Sequence, residues 1–231
     1  MKFPVLSVFA LALAIPSQLR ATDKEPKIYV LETDVAKLES GTFAGEMRLS
    51  PDGKRYCYGA RIGERKFVIV DGQEYPAFDG CADGMPVFSP DGQHFAYVAL
   101  RGGKQCVVRD GEPGTDFEMV SSVPPLFSPD SQRLAYLAKD GDRGLVVLDG
   151  KAGEPYRNIA AMSFSPDSQH FAYIGMSAAS MVVMLDGREA YRDEHFVKDS
   201  LAFDGPSELH VLTLRDGHVI RARIDVLEQW P

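Results

Sequence analysis

Ser89, Asp91 and His94 lie within six residues of one another, and Ser165, Asp167 and His170 repeat the arrangement. These are the residue types of a hydrolase, in which a base takes the proton of a serine hydroxyl and a carboxylate orients the base. The same Ser-Pro-Asp also stands at Ser50 and Asp52 and at Ser128 and Asp130, but Arg55 and Arg133 occupy the histidine position there. A column that alternates between His and Arg reads as solvent-facing, not as a catalytic base. No GxSxG nucleophile elbow occurs either. The motif therefore reads as turn chemistry. Pro presets φ, Ser and Asp bond nearby N–H groups, and Gly53 or Gly92 accepts a positive φ. Ser131 and Ser168 replace that glycine in two copies, as a mostly right-handed turn tolerates.

The turns belong to a repeat. Ser50, Ser89, Ser128 and Ser165 are spaced by 39, 39 and 37 residues, and an Asp-Gly follows each Ser by 21 residues, at Asp71, Asp110, Asp149 and Asp186. The two-residue deletion before the fourth copy falls between Asp149 and Ser165. Ile28–Thr33 reads as a partial copy at one end, and Leu201–Thr213 as a degenerate copy at the other. Short β-branched runs such as Val68–Val70 and Val182–Leu185 alternate with turn residues. The unit is four strands, a to d, with Ser-Pro-Asp joining a to b and Asp-Gly joining c to d. One helical turn is expected over Asp34–Glu39.

Four short antiparallel strands at a period of about 40 residues are the signature of an all-β fold, the β-propeller. A single blade cannot bury both faces, whereas blades packed around an axis can. Five blades with irregular closure are expected, and a six-bladed or open ring is the alternative. The repeat columns carry the packing. Tyr58, Tyr97, Tyr136 and Tyr173 form an aromatic wedge column. Cys57, Ala96, Ala135 and Ala172 form a small-residue column, and Cys106 shares a core column with Phe67, Leu145 and Val182.

The chain has 231 residues, 45% hydrophobic and 25% charged, as a soluble globular protein does. Residues 1–21 differ: Lys2 precedes an apolar run from Phe3 to Ile15, and small and polar residues lead to Ala21. That is a secretory signal pattern, too short to span a bilayer. Residues 22–231 then form a single propeller domain with no transmembrane segment. Loss of Lys2 and Arg20 takes the net charge from -8 to -10, which disfavours nucleic acid. Three cysteines are an odd number for an exported chain. Cys57 and Cys106 read as core, Cys81 as exposed, and a Cys81–Cys106 disulfide is disfavoured by its strict geometry. Asp140 and Asp142 form a lone DGD, short of the six to eight converging oxygens calcium takes. No metal, cofactor or catalytic residue is assigned.

The FSPDG-x-x-x-AY unit, with its VxDG partner, resembles the WD-like propeller repeats of bacterial envelope proteins, the TolB-like group. Related units form the propellers of prolyl-oligopeptidase-type peptidases. The resemblance covers Ile28 to about Ile224 and implies the fold, not an activity. In TolB-like proteins an α/β domain precedes the propeller, and none is expected here.

In such a propeller the a–b and c–d turns share one face, so the repeated motifs are scaffold. The b–c turns and d–a loops share the other and differ between copies. Arg65, Cys81, Asp83, Arg101, Lys104, Asp140 and Arg143 are the binding-face candidates. The reading is an exported, non-enzymatic scaffold, periplasmic or secreted and monomeric, that binds an envelope protein or peptide. The alternatives are a propeller glycosidase or an accessory propeller of a peptidase system. A glycosidase needs converging carboxylates, yet the first strands (GEMRL, GMPVF, VPPLF, AAMSF, DSLAF) offer only Glu46 and Asp199.

Overall fold

The computed structural model describes residues 43–63, 65–76, 79–81 and 86–226, all within one compact unit, Val35–Pro231. The expected signal segment, the partial copy Ile28–Thr33 and the helical turn Asp34–Glu39 lie outside the described residues, as do the side chains of Glu46, Arg65, Cys81 and Asp83. Among the described residues every regular element is a β-strand, and no helix is long and apolar enough to cross a membrane.

Each repeat forms one antiparallel meander. Blade 1 contains Phe43–Leu49, Tyr56–Ile62, Arg65–Val70 and Gln73–Pro76, hydrogen-bonded in that order. Blade 4 repeats it with Asn158–Phe164, Phe171–Met176, Met181–Leu185 and Arg188–Asp193. Blades 2 and 3 centre on Phe95–Arg101 with Lys104–Arg109 and on Leu134–Asp140 with Arg143–Leu148, and their outer strands are only two residues long. Blade 5 has three strands among the described residues, Ala202–Gly205, Glu208–Arg215 and His218–Asp225.

The first strand of blades 2 and 3 departs from expectation. Gly80–Cys81 and Val87–Phe88 both pair with Phe95–Arg101 as separate pieces, so Gly80 and Cys81 are strand and not loop. Met119–Val120 and Leu126–Phe127 do the same in blade 3. The gaps hold Pro86 and the pair Pro124–Pro125. Proline has no N–H for the ladder, so the strand breaks there.

The period of two along each strand sends alternate side chains to opposite neighbours. Tyr97 and Cys106 of blade 2 pack with Val68 and Val70 of blade 1, while Ala96 and Val107 of blade 2 pack with Tyr136 and Val147 of blade 3. Ala135 and Val146 of blade 3 then meet Tyr173 and Val182 of blade 4, and Ala172 and Val183 of blade 4 meet Leu209 and Val211 of blade 5. Each junction has its own core, and the sheets stack face to face as propeller blades. In the two middle blades and blade 4 the tyrosine column wedges toward the preceding blade. The small column faces the following blade, where Cys57, Ala96, Ala135 and Ala172 are fully buried. Cys57 and Cys106 are free thiols, so the disfavoured Cys81–Cys106 bond is not formed. Burial pushes the Cys57 thiol up to about 11, so it stays protonated and unreactive.

Candidate functional site

The Ser-Pro-Asp turn is closed by its own residues. The hydroxyls of Ser50, Ser89, Ser128 and Ser165 donate to Asp52, Asp91, Asp130 and Asp167 at 2.5–2.6 Å. Each hydroxyl also accepts the backbone N–H of the residue five positions on, at 2.9 Å. All four serines are buried. The serine bond is the main cause that holds each of these carboxylates below the usual range, which makes them poor general bases.

The fourth position of the turn is left-handed throughout. Gly53 and Gly92 have φ of 70° and 72°, and Ser131 and Ser168 have 67° and 66°. The expectation of a right-handed turn at the two serines is therefore wrong. Serine stands there because its Oγ accepts the backbone N–H of Asp91 or Asp130 in the preceding blade, at 3.0 and 2.9 Å. That bond offsets the strain of a non-glycine residue at positive φ.

The Arg/His column is not solvent-facing either. Arg55, His94, Arg133 and His170 lie 2.7–3.0 Å from the outer carboxylate oxygens of Asp71, Asp110, Asp149 and Asp186, with side chains only 26–30% exposed. The inner oxygen of each Asp accepts the first N–H of strand b, at Tyr56, Phe95, Leu134 and Phe171. These aspartates hold φ of 49–53° in Asp-Gly hairpin turns. The two repeated motifs are thus one network. His94 turns Nδ1 to Asp110 at 2.7 Å, while Ser89 gives its proton to Asp91. No hydrogen bond joins the ring to the hydroxyl, so the hydrolase residues are neighbours without the hydrolase geometry.

The network also crosses blades. Arg55 donates to the carbonyls of Gly92 and Gln93 and sits 5.3 Å over the Phe88 ring. Arg133 does the same to Ser168, Gln169 and Phe164. Blade 2 carries His94, which is too short, and Arg109 takes over. It donates to Gln132 and stacks 5.6 Å over Phe127. The cue in the sequence was only that Arg109 stands where the other copies have Val70, Leu148 and Leu185; the other His copy, with His170, carries Leu185, so the exchange could not be read as compensation.

The opposite edge is less committed. Among the predicted face residues, Arg101 is held by Asp116 at 2.8 Å and reaches the Gly114 carbonyl. Lys104, Asp140 and Arg143 are exposed, and their side chains make no ion pair among the described residues. The face has its own recurring support. Asp79 accepts the N–H of Gly102, and Glu118 accepts that of Gly141, so one carboxylate caps each b–c turn of blades 2 and 3. The 39-residue spacing of Asp79 and Glu118 was the missed cue. Asp199 has φ of 58° and lies 3.9 Å from Lys198, with its side chain 75% exposed. Among the described residues no group of three or more His, Cys, Asp or Glu is placed to hold a metal.

No protein-family model matches the chain, and no curated protein sequence matches it. Among solved structures, TolB from Acinetobacter baumannii is 15% identical with a TM-score of 0.40, over 83% of this chain and 56% of that one. The β-propeller domain of the Trilobed protease from Pyrococcus furiosus is 12% identical with a TM-score of 0.46, over 80% and 70%. Oligopeptidase B from Trypanosoma brucei is 13% identical with a TM-score of 0.46, over 82% and 32%. The chain thus spans about half of the TolB chain it resembles, and similarity at this level carries no argument about what the chain does.

Proposed function

We propose that this chain is an exported, non-enzymatic propeller that binds an envelope protein or peptide through its b–c edge. The observation that supports this is the division of labour between the two edges. On the Ser-Pro-Asp edge every Ser, Asp and Arg or His of the repeat is used in holding turns and neighbouring blades. On the b–c edge Lys104, Asp140 and Arg143 stand in solvent on capped, well-held turns. Uncommitted charges on a fixed frame are suited to recognition, because little ordering is needed on binding. The first 21 residues, read as a signal, support export.

The test is capture of partners from an exported fraction by the wild-type chain and by the double variant Lys104→Glu, Arg143→Glu. The reading expects a partner that the wild type retains and the double variant loses at unchanged melting temperature. Equal capture by both would overturn the assignment of this edge.

A further inference from the structure

The Ser-Pro-Asp turns of blades 2, 3 and 4 each form a seat for an arginine of the preceding blade. The last residue of strand a is Phe88, Phe127 or Phe164, and a guanidinium lies 5.3–5.6 Å over its ring. The same guanidinium donates to two carbonyls of the turn that follows. Arg55 reaches Gly92 and Gln93, Arg109 reaches Gln132 and, at 3.5 Å, Ser131, and Arg133 reaches Ser168 and Gln169. In blade 1 the counterparts are Leu49, Gly53 and Lys54. That turn is closed in the same way, by Ser50 on Asp52, and Gly53 holds φ of 70° against 72° at Gly92. Yet Leu49 is 63% exposed, and neither carbonyl has a donor other than its own turn among the described residues. A Cβ on Gly92 would lie 3.1 Å from Ser50 of the preceding blade, whereas one on Gly53 would meet nothing within 4 Å.

The chain's own arginines do not suit this seat. Residues 21–47, ahead of it, hold no arginine. In blade 5, Arg223 pairs with His210 in the register that joins Arg109 to Ala96, so it stands in a crossing column. It is bonded instead to Asp225 at 2.7 Å within its own strand, with its side chain 60% exposed. The rest of that face is also unlike a junction. His210 and Arg221 stand where blade 4 buries Ala172 and Val183, and both gather on Asp204. Such a face offers no small residue to the tyrosine wedge of another blade. A polar, charge-paired outer face is that of a terminal repeat.

We propose that the Ser-Pro-Asp turn of blade 1 is a recognition site for an arginine side chain of a bound polypeptide. The guanidinium lies on Leu49 and donates to the Gly53 and Lys54 carbonyls, as Arg133 does on Phe164, Ser168 and Gln169. Three turns of this chain select the same group for the same atoms. Arginine fits better than lysine because its planar fork reaches two carbonyls at once, and its weaker hydration lets it lie on an apolar side chain. Two departures make this seat weaker than the others. Leu49 has no ring face, and Lys54 replaces a glutamine, although its ammonium is turned to Asp52 at 3.4 Å. The site is on the Ser-Pro-Asp edge and extends the reading of the chain as a binding module without depending on the b–c edge.

The probe is an acetylated, amidated Gly-Arg-Gly tripeptide titrated into the wild-type chain and followed by NMR, with Gly-Lys-Gly and Gly-citrulline-Gly as controls. Saturable shifts are expected at the Leu49 methyls and at the Gly53 and Lys54 amides, with both controls about threefold weaker or more. The double variant Leu49→Phe, Lys54→Gln recreates the residues of the other seats and should bind about twofold to fivefold more tightly. Leu49→Lys, at an exposed position, puts a like charge in the seat and should bind about tenfold more weakly. Absence of saturable shifts at Leu49, Gly53 and Lys54 in the wild type would overturn the proposal, as would equal binding of the citrulline peptide. Shifts at those residues on Arg223→Ala without peptide would give the seat to the chain's own blade 5. Shifts there on dilution would give it to a second copy, and either result overturns the proposal too. The wild-type titration decides the matter should a variant fold poorly. A chain that loses its partner through Lys104→Glu, Arg143→Glu yet ignores the arginine peptide sinks this site alone; one that binds the peptide with a silent b–c edge sinks only the edge.

Discussion

Ser89 has one hydroxyl proton, and Asp91 holds it at 2.6 Å. A nucleophile would need that proton aimed at a base, and the His94 ring is instead turned to Asp110. The serine acts as a relay between its turn carboxylate and the N–H of His94. Ser89→Ala would leave that part-buried N–H without its side-chain acceptor, at a cost of about 1 kcal/mol. Chemical denaturation should show the midpoint fall at unchanged slope. An unaltered midpoint would contradict the structural role. Asp193 gives a second test at this scale. Its side chain is 7% exposed beside Arg215, and the Arg215 guanidinium is the main cause that holds its carboxyl well below the usual carboxylate range. A depressed carboxylate contributes its stability above its unfolded pKa and loses it as pH falls through the folded one. Asp193→Asn should therefore cost about 2 kcal/mol at pH 7. The gap from wild type should shrink below about pH 4, as denaturation midpoints across pH would show. A gap that grows on acidification would refute the pairing.

At the scale of the element, the turns and strand pairs were readable in the sequence because each is local. Asp-Gly at a fixed offset of 21 from each Ser names a hairpin, and the Tyr and Ala columns name the two faces of strand b. What was not readable depends on a neighbour in space. Ser131 reads as a tolerated substitute for glycine until Asp91 of the preceding blade is seen donating to it. Arg55 reads as a surface residue until Asp71 and the Gly92 carbonyl are seen beside it. The broken first strands were partly legible, since Pro86 and Pro124–Pro125 were in view, but only the pairing shows both pieces on one strand. Ser131 yields a sharp comparison. Ser131→Ala loses the bond to Asp91 and keeps the left-handed φ, whereas Ser131→Gly loses the bond and relaxes the backbone. Thermal melting should rank wild type above Gly and Gly above Ala. Ala melting at or above Gly would mean that the bond and the left-handed backbone do not matter.

For the molecule as a whole, the two edges have different work. One edge ties blade to blade through Arg55, Arg109 and Arg133, and the tie between blades 4 and 5 runs through Asp193 and Arg215. The other holds its b–c turns on Asp79 and Glu118 and leaves Lys104, Asp140 and Arg143 in solvent. Repetition in this chain marks what the fold needs, and difference between the copies marks where recognition can be built. The most direct measurement pairs melting with partner capture for two variants, Ser89→Ala and Lys104→Glu, Arg143→Glu. The account predicts that Ser89→Ala melts lower and captures as the wild type does well below its midpoint, and that the charge reversal melts unchanged and captures nothing. Loss of capture in a folded Ser89→Ala chain, with the charge reversal silent, would contradict it.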